Sequence, residues 1–166
     1  KGLAGGFPLS AVTGRAEVVD ASPVGGLGGT YAGNPLAVAA ANAVLDVIDD
    51  EKLCARAVQI GDIIMARLNA IAARQGMEAI GDVRGLGAMV AFELVTDRAS
   101  NNPDAALTKA IVAGAEARGL IILPCGTRGN VVRLLPPLTT PLAQVTEALD
   151  ILEAALEAAI TSRASA

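Results

Sequence analysis

The 166 residues carry 52% apolar side chains, a formal net charge of −4 and no histidine. Without histidine there is no Ser-His-Asp or Cys-His catalysis within the chain and no His-ligated zinc or haem, so any chemistry falls to Lys, carboxylates, Tyr, hydroxyls or a cofactor. The acidic balance, with no basic cluster and only two Phe and one Tyr, argues against nucleic acid, whose recognition takes clustered Lys and Arg and stacking aromatics.

The first third is glycine-rich and irregular. Lys1-Gly-Leu-Ala-Gly-Gly-Phe-Pro leads into a short apolar run, Leu9 to Val12, which is predicted to be a strand. A second loop, Pro23 to Gly33, is dense in glycine, a costly choice unless the backbone takes left-handed conformations or approaches something closely. Asn34-Pro35 then supplies a helix N-cap and a first helical residue. Leu36, Ala40, Ala43, Val44 and Val47 keep one apolar face, Asp49-Asp50-Glu51 marks a break with acidic residues at the new N-terminus, and Leu53, Ala57, Ile60, Ile64, Leu68 and Ile71 form the next stripe. Gly76 is placed to cap it. The longest uncharged apolar stretch, Leu36 to Leu45, is broken by Asn42 and falls short of the about 20 residues a spanning helix needs, so no membrane partner is expected.

From Met77 the character changes. Val83 to Leu94 reads as one strand, with Gly85 and Gly87 marking a bulge or a close backbone approach. Asn102-Pro103-Asp104 opens a helix that runs to Gly119. Leu120 to Leu123 and Val131 to Leu135 read as paired strands, and Thr140-Pro141 opens a last helix with Leu142, Val145, Leu149, Leu152 and Leu156 on its apolar face. The tail from Thr161 is expected to fray. The second half is thus a compact α/β unit, whereas the first, with helices and almost no strands, cannot cover itself. Cys54 and Cys125 lie far apart, give no disulfide framework and read as packing residues. No charged segment with a small-residue cleavage site opens the sequence, and a reducing, cytoplasmic location is expected.

Two residues stand out physically. Thr30 closes a glycine-rich loop that leads into a helix, where backbone amides suit an anion; the alternative is a tight turn with Thr30 solvated. Arg133 is a lone charge between Val132 and Leu134, and its guanidinium fork suits a carboxylate; the alternative is a structural salt bridge to an acidic side chain. Arg84, at a strand end, reads as either solvated or ion-paired and outside the site, and Glu93 suits an arginine partner with nothing to mark it as catalytic.

Four ordered motifs carry a family resemblance over nearly the whole chain. Lys1-Gly-Leu-Ala-Gly-Gly-Phe-Pro-Leu-Ser resembles the segment around the Schiff-base lysine of class III pyridoxal-phosphate-dependent aminotransferases. Gly26-Leu-Gly-Gly-Thr-Tyr-Ala-Gly-Asn-Pro-Leu-Ala resembles their phosphate-contacting loop, in the form typical of 4-aminobutyrate transaminases. Val83-Arg-Gly-Leu-Gly and Gly129-Asn-Val-Val-Arg-Leu resemble their small-domain strands. The resemblance implies an aspartate-aminotransferase-like α/β fold (fold type I), with residues 1–76 ending the large cofactor-binding domain and residues 77–166 forming the small C-terminal one. It implies a homodimer with shared active sites, pyridoxal 5'-phosphate as cofactor, and amino acids and 2-oxo acids as substrates. On this resemblance Lys1 is the catalytic and cofactor-holding residue, Thr30 binds the cofactor phosphate in the neighbouring subunit's site, and Arg133 grips the α-carboxylate of glutamate or 2-oxoglutarate. The implied reaction passes the amino group of 4-aminobutyrate to 2-oxoglutarate. Alternatives are a relative acting on another ω-amino acid or on N-acetylornithine, and a non-catalytic module. The family's aspartate for the pyridine nitrogen, its ring-stacking aromatic and its distal-carboxylate grip all precede the lysine. The stretch alone is therefore expected to be inactive and to belong to a longer polypeptide.

Overall fold

The computed structural model describes residues 2–164, with the side chain of Ala164 left aside. Lys1, the predicted catalytic residue, lies outside the described residues. The chain divides into two compact units, Lys1–Leu53 and Cys54–Ala166.

In the first unit the opening residues turn twice, with Gly5 N–H donating to Gly2 C=O at 3.1 Å and Phe7 N–H to Ala4 C=O at 3.0 Å. The predicted strand at Leu9 to Val12 does not form. A strand needs a neighbour to pair with, and among the described residues this unit has none. A short helix, α1 (Ala16–Val19), was not expected and buries nothing. Helix α2 (Pro35–Asp50) starts where the sequence places it: Asn34 Oδ1 accepts from Leu36 N–H at 2.9 Å and Ala37 N–H at 3.4 Å. The unit's core is only Ala4, Ala37 and Ala41, with Leu3, Leu9 and Ala40 packed against them. Phe7, Val12, Val24, Leu27, Tyr31, Leu36 and Leu45 remain exposed. The first unit does not cover its own apolar surface.

The helix break falls near its expected place with its chemistry reversed. The acidic run closes α2 rather than opening the next helix, and Lys52, at φ 52°, takes the left-handed turn between them. Helix α3 (Leu53–Ala72) has no acid in its first turn.

The body of α3 belongs to the second unit. Its buried stripe, Ile60, Ile64, Leu68 and Ile71, joins one cluster with the sheet and two further helices. The segment read as one strand from Val83 is a hairpin, β1 (Ile80–Leu86) and β2 (Met89–Leu94), paired antiparallel. Its two-residue turn, Gly87-Ala88, has Gly87 at φ +52°, the left-handed first position that such turns demand. The bulge predicted near Gly85 lies instead at Gly81, left unpaired between Ile80↔Leu94 and Asp82↔Glu93. The expected close approach is real: an added Cβ on Gly61 of α3 would stand 2.0 Å from the Gly87 carbonyl oxygen.

Helix α4 (Ala105–Glu116) follows, capped by Asp104 through Leu107 N–H at 2.9 Å. Strands β3 (Leu123–Cys125) and β4 (Val131–Leu134) pair as expected, although β3 begins where its predicted run ended. The sheet order is β1-β2-β4-β3, every pairing antiparallel. Val90, Phe92, Leu94 and Val132 face α3, α4 and α5 (Leu142–Ala164) in the core. Helix α5 buries Val145, Leu149, Leu152 and Leu156 as its pattern predicts. Its end does not fray at Thr161: Arg163 pairs with Asp104 at 2.7 Å and keeps the helix wound to Ala164. Arg67 of α3 reaches Asp150 and Glu153, and Arg74, just past its end, reaches Glu153 and Glu157, tying this segment to α5. These pairs are partly exposed, and most of the stability comes from the apolar layer beneath.

Candidate functional site

Strand alternation divides the sheet's side chains into two sets. The pairings Phe92↔Val132 and Val83↔Phe92 lie on the core face, while Arg84↔Ala91, Ala91↔Arg133 and Leu123↔Arg133 lie on the other. The outer face thus carries Arg84 on β1 and Arg133 on β4 in one cross-strand row. Asn130 sets that row. Its backbone carbonyl accepts from Leu94 N–H at 2.8 Å, and its buried side-chain amide donates to Leu94 C=O at 3.1 Å, so β4 cannot slip against β2. This role is not legible from residue order, since an Asn after Gly reads first as a turn residue.

The two arginines differ in what they hold. Arg84 donates to Asp82 and to Glu93, both at 2.6 Å, and these carboxylates raise its pKa further above the ordinary guanidinium value, Asp82 the more. Arg133 is exposed, and among the described residues it has no ion pair or hydrogen bond. The alternative of a structural salt bridge is not seen. Beside it, an apolar cleft of about 400 Å³ is lined by Ile121, Leu123, Leu135, Gln144 and Leu149.

Thr30 lies in the first unit, in the loop that ends at the Asn34 cap, and is exposed. Neither its hydroxyl nor its amide has a partner among the described residues, and the Gly28 and Gly29 amides are also unused. Space is open where a Cβ would stand at either glycine. The first two amides of α2 that a helix N-terminus would offer an anion are instead taken by Asn34, so the donors left for a ligand are those of the loop. The segment after Lys1 reaches the same helix: Ala4, 1% exposed, packs with Ala37 and Ala41. The two motifs of the first unit therefore converge on α2, while Arg133 belongs to the other unit and is described within it. Both cysteines are free, and Cys54 is exposed, so it is not the packing residue expected.

The family described as aminotransferase class-III matches residues 1–156. The chain belongs to that family. The similarity is high to 4-aminobutyrate aminotransferase GabT of Escherichia coli (strain K12), at 54% identity over 92% of this chain and 35% of that protein. It is nearly as high to 5-aminovalerate aminotransferase DavT of Pseudomonas aeruginosa, at 51% over 92% and 35%. Among solved structures, a phospholyase from Arthrobacter in complex with phosphoethanolamine superposes with a TM-score of 0.75 at 36% identity, over 86% of this chain and 33% of that one. The PMP-bound form of an aminotransferase from Vibrio fluvialis gives 0.72 at 32%, over 88% and 31%.

The chain spans about a third of the length of the curated relatives it matches. Its α/β fold is that part of the class III, fold type I architecture, as the motifs imply. The class is one of pyridoxal-phosphate enzymes acting on amino and oxo acids. The donors present here fit the cofactor's phosphate, since an unpartnered hydroxyl and neighbouring loop amides are what a phosphate dianion takes. No helix among the described residues is long and apolar enough to cross a membrane.

Proposed function

We propose that this chain is the C-terminal part of a homodimeric, cytoplasmic aminotransferase that moves the amino group of 4-aminobutyrate to 2-oxoglutarate, giving succinic semialdehyde and glutamate. The observation that carries the reading is Arg133, an exposed guanidinium with no partner among the described residues, on the outer face of a sheet whose other arginine is doubly paired. Such a group suits two-point contact with a carboxylate. The 54% identity to a 4-aminobutyrate aminotransferase supports the choice of donor.

Pyridoxal phosphate, when bound, supplies an aldehyde that takes up the amino group and a ring that stabilises negative charge at the reacting carbon. Three residues of the chain would then act. Lys1 would hold the cofactor through its ε-amine and, with that amine free, would move a proton at the substrate carbon. Thr30 donates its hydroxyl and amide to the phosphate, serving the neighbouring subunit's site. Exposed Val24, Leu27 and Tyr31 flank it on a loop with apolar surface to bury, which is consistent with a subunit contact. Arg133 would donate to the α-carboxylate of 2-oxoglutarate and set its keto carbon toward the cofactor. Residues 1–76 would belong to the large domain and residues 77–166 to the small one.

A second reading has its own support. The 51% identity to a 5-aminovalerate aminotransferase favours a donor one methylene longer, and an added methylene changes discrimination by only about 1–3 kcal/mol. Steady-state rates of the full-length enzyme with 4-aminobutyrate, 5-aminovalerate and N-acetylornithine separate these. The highest kcat/KM is expected for 4-aminobutyrate. A clear preference for N-acetylornithine would overturn the proposal.

A further inference from the structure

The outer face of the sheet holds a charge arrangement with a consequence for Arg133. Asp82 and Glu93 stand directly opposite each other on β1 and β2. Two like charges in that relation repel, and Arg84 answers both, at 2.6 Å each. Glu93 has a second neighbour. It faces Val131 on β4, and Arg133 lies two residues along the same strand on the same face. That diagonal spans about 7–8 Å between backbone positions, within reach of long side chains. The positions adjoining Arg133 across its two pairings are Ala91, Met89 and Glu93 on one side and Leu123 and Cys125 on the other. Glu93 is the only carboxylate among them, while Asp82 is two strands away.

A free Glu93 would therefore have Arg133 as its natural partner, and an arginine committed to Glu93 is lost to a substrate carboxylate. The Glu93 side chain is 26% exposed, well below the 51% of Arg84, so its charge is incompletely answered by water and needs a cation. We propose that Arg84 is a positioning residue for substrate binding: by holding Glu93 it keeps that carboxylate off Arg133 and leaves the guanidinium open to the carboxylate of the oxo acid. The role given to Arg133 as a carboxylate grip rests on the function proposed above, whereas the Arg84–Glu93–Arg133 competition is a property of the sheet alone.

The test uses the full-length enzyme, its Arg84→Met variant and the Arg84→Met/Glu93→Gln double variant, with two readouts. The first is the rate at which phenylglyoxal modifies Arg133, mapped by peptide mass. It should fall at least about threefold in the single variant, as Glu93 captures the guanidinium, and return to the parent rate in the double variant. The second is steady-state kinetics: KM for 2-oxoglutarate should rise about tenfold in the single variant with kcat little changed, the signature of lost ground-state binding, and recover in the double variant. KM for the amine donor should stay constant. If the Arg133 modification rate is unchanged in Arg84→Met, or stays low when Glu93 is also neutralised, the inference is overturned and Arg84 is merely structural. If modification follows the expected pattern while KM for 2-oxoglutarate does not move, the inference stands and the substrate role of Arg133 falls instead.

Discussion

Gly61→Ala is expected to destabilise the second unit by a net of about 1–2 kcal/mol, although alanine is the better helix former. The methyl would stand 2.0 Å from the Gly87 carbonyl oxygen and 2.6 Å from its carbonyl carbon. The obstacle is backbone in a two-residue turn, which has no rotamer to change, so either α3 lifts from the hairpin or the turn distorts. Forced overpacking of this kind costs about 1–3 kcal/mol, more than the roughly 1 kcal/mol that alanine returns in helix propensity. Gly114→Ala in α4 provides the contrast. There the added Cβ meets only ordinary contacts, Arg118 Nη1 at 3.5 Å and Ala155 Cβ at 3.6 Å, and the variant should gain about 0.5–1 kcal/mol. Thermal unfolding of both variants in the full-length enzyme checks the pair: a Gly61→Ala midpoint at or above the parent's would mean that α3 and the hairpin do not meet as closely as described.

Lys1→Ala in the full-length enzyme is expected to lower transamination by at least about 1000-fold. Two tasks vanish together: the amine that joins the cofactor, and the base that moves the proton at the substrate carbon, the latter alone contributing roughly 10²–10⁴-fold. Lys1→Arg should be as inactive. It keeps the positive charge, but its guanidinium is never deprotonated in a protein and cannot act as the amine nucleophile. The pair of variants thus separates nucleophile from charge. Steady-state turnover with 4-aminobutyrate and 2-oxoglutarate, on protein whose circular dichroism matches the parent's, is the measurement. Turnover within tenfold of the parent in either variant would remove Lys1 from the mechanism.

Local signals in this sequence were reliable where a side chain closes on its own neighbourhood. Asn34-Pro35 and Asp104 start α2 and α4 as read, because a cap bonds amides two or three residues on and needs nothing from the rest of the chain. The stripe of α5 was legible for a similar reason, one face being apolar at helical spacing along most of its length. Errors came where a partner decides. Leu9 to Val12 is a short apolar run with no strand to join among the described residues of its unit. Val83 to Leu94 carries two glycines that read as a bulge within one strand, and its turn, Gly87-Ala88, lacks the Asn-Gly or Asp-Gly signal of commoner hairpins. In the run from Leu120 to Leu123, Leu120 and Ile122 pack against the core, which leaves the ladder to start at Leu123 and admits Pro124 on an edge strand.

The candidate site follows the same division. Thr30 and Arg133 could be singled out because their surroundings in sequence are unusual for a hydroxyl and a charge. That Arg84 is committed to two carboxylates while Arg133 is committed to none depends on strand register, which places Asp82, Arg84 and Glu93 on one patch from two different strands. No spacing along the chain encodes that. Asn130, which holds β4 in register, was invisible for the same reason, since its partner Leu94 is 36 residues away.

Borohydride reduction of the pyridoxal-phosphate-loaded full-length enzyme, followed by peptide mass mapping, tests the central claim most directly. The reduced cofactor should be found covalently attached to the ε-nitrogen of Lys1 and absent from the chain's other lysines, Lys52 and Lys109. A protein that takes up no cofactor, or one that carries the label on a different lysine, would contradict the account.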